Sequence, residues 1–450
     1  MMGPPLTPRK GQIMAPKFKS RILGTLAIGS AAALALAGCG SSSSSSSSST
    51  PSTPASAAPS ASASAAPSAP ATSGELTIWT EDYYVKIFEP LVKPWADKNG
   101  LTVTFVTKDF GQMGDQFIAA VPAGEGPDLF ITPTGTNKFV ANGVVAPVEL
   151  GDAAAGFNPV SIEAVSNGGK IYGVPFTVEN IALYRNTELA PTAPATFDEM
   201  MAAGDALVKS GKATTAFAIG QDPKGGNPYL LMPFQSSFGS QIFAMDADGN
   251  YDPNKLIIDD EAGQAFASWL ATSGKSGALS PDLTLDIALQ DFKDGKAPFL
   301  VTGPWDLAGI KESGVKYAID PIPSAGGEIS SPFVGFYGVY ASSQSKNPLA
   351  ASLFLTDFMT SVDTQVGIWE QAKNPPALTA ALDVVSADPD MKAFGAIGET
   401  AVQIPPIPAM DQVWGPWGET EVLIQRGQGG DPVELWKAMA EKIRAAIAKG

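Results

Sequence analysis

Forty-five carboxylates, eight tryptophans, a single cysteine and no histidine define the chemistry open to this 450-residue chain. Without an imidazole there is no Ser-His-Asp or Cys-His nucleophile and no histidine metal site. One thiol, Cys39, cannot build a metal cage. Phosphate cradles are absent as well: no GxxxxGK[ST] occurs, and no GxGxxG follows a strand. Acyl-transfer, zinc and phosphoryl-transfer catalysis are therefore not expected. A carboxylate pair of the kind that hydrolyses glycosides stays open, because 45 acids leave many candidates. The same residue types also serve recognition, since flat indole faces pack on the C–H faces of sugar rings while carboxylates and amides bond the hydroxyls. Trp305 follows Gly303-Pro304 at the end of the apolar run 297–302, where a side chain can project into a crevice. Trp414 and Trp417 lie in the proline-rich stretch 404–417, a loop entering a helix.

Cys39 has its own context. Lys17, Lys19 and Arg21 precede an apolar run from Ile22 to Ala37, the layout of a secretory signal. That run of 16 residues is short for a membrane span, which needs roughly 20. It closes on Leu36-Ala37-Gly38-Cys39, which resembles the bacterial lipoprotein signal: a lipid goes onto the cysteine sulfur and the chain is cut before it. Residues 1–38 then form the signal, with Met14 an alternative start of ordinary signal length. Residues 39–74 carry the lipidated Cys39 and a Ser/Ala/Pro tether, including nine unbroken serines from Ser41 to Ser49. Such a segment has too little apolar surface to offset its ordering entropy and is expected to act as a disordered spacer.

The composition changes at Glu75. No acid precedes it and five of the 29 basic residues do, which leaves 24 basic against 45 acidic residues, a net charge of −21. A body so acidic is not expected to bind nucleic acid. Its roughly 375 residues are long enough for two lobes of ordinary domain size. Strands are predicted at 75–80, 102–106, 129–131, 170–175, 181–184, 217–219 and 297–302. Helices are predicted at 83–98 (broken by Pro90 and Pro94), 112–121, 197–210 behind a Thr196–Glu199 capping box, 227–238, and around Ala262–Leu270. Asn347-Pro348 and Asp431-Pro432 open two more helices, cap then proline; the last places Leu435, Met439, Ile443 and Ile447 on one stripe. Strand–helix alternation of this kind implies an α/β body with a largely parallel sheet. Asp128, after Gly126-Pro127, is read as a cap on backbone amides rather than as a site residue.

Seven motifs in order resemble the extracellular solute-binding proteins of sugar ABC importers, of the maltose/maltodextrin-binding type. They are Leu76–Trp79, Gly124–Asp128, Lys170–Pro175 running to Glu179–Asn186, Asn227–Tyr229, Gly303–Trp305, Pro332–Gly335 and Ile407–Trp414. The resemblance spans about 75–450 and implies a two-lobed periplasmic-binding-protein-like fold with ligand in the interlobe cleft. By it, the first lobe is 75–177 plus 338–385 and the second 183–333 plus 391–450, with crossing segments near 178–182, 334–337 and 386–390.

The same resemblance implies a sugar-binding carboxylate at Glu179 and aromatic platforms at Tyr229, Trp305, Trp414 and Trp417. It adds acidic contacts at Glu81 and Asp82 and amide contacts at Asn180 and Asn227. No catalytic residue, metal or cofactor is expected. The implied partners are an oligosaccharide or disaccharide, the permease subunits of an importer, and the membrane through a lipid anchor. A monomer on the outer face of the cytoplasmic membrane is expected. One departure stands out: the loop 132–137 lacks the Trp and the Asp-Arg pair usual in maltodextrin binders, so trehalose, other disaccharides and plant-derived oligosaccharides stay open as ligands. The rival from another class is a tethered glycoside hydrolase using a carboxylate pair.

Overall fold

Alternation along short apolar strands builds a two-lobed α/β fold. The computed structural model describes residues 74–133, 135–246 and 251–449; Cys39, the signal and the tether lie outside them. Successive strand residues point to opposite faces, so a strand covered on both sides supplies two cores. In the first sheet, Ile78 and Ile131 enter one core with Phe88, Phe176 and Phe354. Their neighbours Trp79 and Phe130 enter another, with Phe117, Phe139 and Tyr340. In the second sheet Leu183 and Val301 pack with Phe234, Phe266 and Trp436. The adjacent Tyr184 and Leu300 pack instead with Phe292 and Phe394.

The strands Gly74–Thr80, Leu101–Thr107 and Leu129–Pro133 run parallel, with the first in the middle. Beyond them the sheet is mixed. The long strand Phe333–Ala341 is antiparallel both to Leu129–Pro133 and to Gly173–Glu179. Its first residues, Phe333 and Val334, pair with the short strand Val402–Gln403. The second sheet runs Tyr317–Asp320, Ala182–Asn186, Phe299–Thr302, Ala218–Ile219 and is mostly antiparallel. Buried side chains of the first sheet's cores come from 76–176 and 337–381. Those of the second come from 181–333 and 385–443. Among the described residues no helix is long and apolar enough to cross a membrane.

Several local expectations need correction. The helix Asp82–Asn99 is continuous through Pro90 and Pro94. Both prolines are exposed, so water can satisfy the carbonyls that lose an N–H partner. Tyr84, Ile87, Phe88, Val92 and Ala96 meanwhile anchor the opposite face. The final helix Pro432–Ile447 buries Trp436, Met439, Ala440 and Ile443, so its stripe is rotated from the expected one. Trp436 fixes that rotation by donating its indole N–H to the Ile258 carbonyl at 2.8 Å. The capping box is shifted by one residue: Thr196 Oγ1 accepts from the Glu199 amide, but Glu199 Oε2 accepts from the Ala195 amide. Asp128 does cap backbone. Its Oδ2 accepts from Thr77 N at 2.9 Å, and its Oδ1 from Lys346 N and Asn347 N at 2.8 and 3.1 Å.

Candidate functional site

The chain passes from the first sheet to the second through Asn180-Ile181, between the strands ending at Glu179 and starting at Ala182. Glu179 is paired in register with Gly335 of the long strand. A Cβ on Gly335 would lie 2.7 Å from Tyr229 Oη and 3.3 Å from Glu179 Cγ. Glycine is therefore what lets the tyrosine hydroxyl approach this crossing. Tyr229 comes from the helix Pro228–Ser236, whose N-cap is Asn227: its Oδ1 accepts from the Leu230 amide and its Nδ2 donates to the Gly220 carbonyl.

Glu179 is 5% exposed, and its Oε2 accepts from Asn374 Nδ2 at 2.8 Å. Burial, and then the neighbouring Glu81 carboxylate, push its pKa up to about 8. No cation pairs with Glu179 among the described residues. Glu81, directly after the first strand, accepts from the Tyr337 hydroxyl at 2.5 Å. Its pKa is also raised, by burial, with the tyrosine bond pulling the other way. Burial raises the pKa values of Tyr83, Tyr84, Tyr229 and Tyr337, with the Glu179 carboxylate a smaller cause in each, so all four phenols stay protonated donors near it. The Tyr229 hydroxyl is buried with no partner, and so is the Asn180 side-chain nitrogen. Such groups cost free energy unless something bonds them, and a polyhydroxylated ligand is one thing that can.

Trp305 lies in the short turn Pro304–Asp306 after the strand Phe299–Thr302. A Cβ on Gly303 would sit 2.1 to 2.5 Å from its ring, so glycine there lets the indole fold back over the strand end. Trp305 and Tyr229 are 6.3 Å apart between ring centres. The next residue, Asp306, has its pKa raised by burial and accepts from Thr302 Oγ1 at 2.5 Å. Its charge also acts on Tyr83.

The structure thus brings Glu81, Glu179, Tyr229 and Trp305 into one neighbourhood. Others among the expected residues sit elsewhere. Trp414 is half-buried and lines a cavity with Asn137, Phe336 and Gln403. Trp417 is fully buried, its ring stacked 5.7 Å beneath that of Trp414. Asp82 is exposed and pairs with Lys86 at 2.5 Å along the helix. Asn227 has both side-chain polar atoms engaged with backbone. Tyr83, Tyr337, Asn374 and Asp306 were not anticipated. Local signals for them exist: Tyr83 follows Glu81-Asp82, Asp306 follows Trp305, and Tyr337 lies between Gly335 and Gly338.

A buried carboxylate at a chain crossing, neutral hydrogen-bond donors around it and an indole at a strand end make up the candidate site. Residues 90–393 match the bacterial extracellular solute-binding protein family, and the chain belongs to that family. It is similar to the maltodextrin-binding protein MdxE of Bacillus subtilis, 26% identical over 350 residues, 75% of this chain and 82% of that protein. The maltotriose-binding protein of Pyrococcus abyssi is 25% identical over 387 residues, 82% of each. A galactooligosaccharide-binding protein of Bacillus subtilis is 24% identical over 388 residues, 83% of this chain and 89% of that one. Among solved structures, Thermus thermophilus maltotriose binding protein bound with maltotriose superposes with a TM-score of 0.75 at 27% identity, covering 83% of this chain and all of that one. These are binding proteins, not enzymes.

Proposed function

We propose that this protein captures an uncharged oligosaccharide or disaccharide between its lobes and delivers it to the permease of an ABC importer. The observation that carries this reading is Glu179: a buried acid with a raised pKa, at the crossing between the sheets, facing Glu81 and four phenols and paired with no cation. That set suits hydroxyl groups and rejects anions. Malto-oligosaccharides are the first ligands to try, given the relatives' names. The lobes are taken as 75–177 with 338–385, and 183–333 with 391–450, hinged near 178–182, 334–337 and 386–390. Support comes from the split of the hydrophobic cores between the same segments. Ligand touching both lobes favours the closed form, and only that differential affinity can shift the population.

Tethering by lipid at Cys39 on the outer face of the cytoplasmic membrane completes the proposal. Two relatives are named as lipoproteins. Family processing adds two acyl chains, which stable anchoring requires. Cys39→Ser is expected to release the protein from the membrane fraction or leave it unprocessed.

Solution scattering with and without maltotriose tests hinge closure: the radius of gyration should fall on binding, and superposable profiles with bound sugar would refute it. Labelled maltotriose separates receptor from hydrolase. Retention of intact sugar at one per chain is expected, whereas multiple turnover would favour the carboxylate-pair enzyme.

A further inference from the structure

A second cavity opens within the second lobe, between the helices Phe197–Lys209 and Glu261–Ser276 and the segment 276–287. It shares no lining residue with the Trp414 cavity or the Glu179 neighbourhood. Trp269 lines it, half-buried. The indole is fixed in place: Phe197 meets it edge-on at 5.0 Å and Phe266 stacks on it at 5.7 Å. Around it stand the carboxylates of Asp198, Asp205 and Asp282 and hydroxyls such as that of Thr272, with no lysine or arginine in the lining. Asp282 is already paired with Arg426 at 2.5 Å, whereas Asp198 and Asp205 make no ion pair among the described residues. Three surface acids alone would mean only solubility. A rigid, half-exposed indole at the wall of the same cavity adds an apolar platform, and packing does not require its exposure.

We propose that this cavity is a second saccharide site, for an uncharged sugar stacked on Trp269 and hydrogen-bonded by Asp198 and Asp205. Anionic ligands are repelled by the three acids. A simple cation would leave the platform and the hydroxyls unused. The site does not depend on Glu179 and stands or falls apart from the interlobe reading.

The test uses the full chain labelled with 5-fluorotryptophan, with the Trp269 fluorine resonance assigned through Trp269→Phe. On titration with maltotriose, the Trp269 resonance should shift in a step of its own, separate from the other indoles. Asp205→Lys and Thr272→Phe change exposed positions and should fold. Each should weaken that step by about tenfold or more, the scale of one lost hydrogen-bonded contact, and leave the other indoles' response unchanged. Trp269 shifts without any response at Trp305 would support this site while contradicting the interlobe one. The proposal is overturned if Trp269 stays unmoved up to the solubility limit of the sugar. It is also overturned if Trp269 moves only in step with the other indoles, if both variants leave its step intact, or if spermidine shifts it and maltotriose does not.

Discussion

Among the described residues two glutamates are buried, and they are buried differently. Glu179 lies where the chain crosses between sheets, bonded to Asn374, with Tyr337 of one hydrophobic core and Tyr229 of another beside it. Glu421 lies inside the second lobe on the helix Trp414–Gln425, with 0% exposure and no hydrogen-bond partner for either oxygen. Burial pushes both pKa values up, well above the usual range in the case of Glu421. A raised pKa by itself therefore does not separate the two. Convergence does: the Glu81 carboxylate and the phenols of Tyr83, Tyr84, Tyr229 and Tyr337 all act together with Glu179, whereas Glu421 has the Trp417 indole, one turn before it.

The largest expected difference is in stability against pH. Glu179 stays protonated in the folded state up to about 8, against a reference value of 4.5. A raised carboxyl binds its proton more tightly when folded, so its contribution is full below pH 4.5 and is lost as pH rises toward about 8. Glu179→Gln should remove that slope, a difference on the order of several kcal/mol across the interval in denaturant melts. Matching slopes for variant and wild type would place the Glu179 pKa near its ordinary value. Next in size, Trp305→Ala should weaken sugar affinity by about 1.5–3 kcal/mol, roughly ten- to a hundredfold, with little change in melting temperature. A large fall in melting temperature with unchanged affinity would make Trp305 a packing residue. Glu421→Leu removes an unpartnered buried acid and should stabilise the fold by about 1–3 kcal/mol while leaving affinity unchanged. The smallest effect belongs to Asn227→Ala, which should cost about 1 kcal/mol of stability as a lost N-cap and nothing in affinity. A selective affinity loss there would put Asn227 in contact with sugar.

Much of the fold can be read in the sequence because it is written in short-range pattern. The strand at 74–80 shows as alternation, and the helix at 432–447 shows as an Asp-Pro start. What pattern cannot show is which residue wins a contested face. Trp436 takes the core position that the i, i+4 series from Leu435 claimed, because its N–H reaches a specific carbonyl 178 residues away. Pro90 and Pro94 looked like breaks because propensity does not know that their side of the helix faces water. Of the candidate site, Trp305 shows in the sequence as an indole after a Gly-Pro turn, and Glu179 through the family resemblance. Asn374 was not, since its partner Glu179 is 195 residues away and only the crossing brings them together. Trp417 shares its spacing with Trp414, yet it forms the floor beneath that ring.

Calorimetric titration of maltotriose into wild type, Glu179→Gln and Glu421→Gln at neutral pH tests the central claim most directly. A loss of roughly tenfold or more is expected for Glu179→Gln, the scale of a buried hydrogen bond to a charged or strongly polar group, and wild-type affinity for Glu421→Gln. Equal affinity in all three proteins, with maltotriose bound, would contradict it.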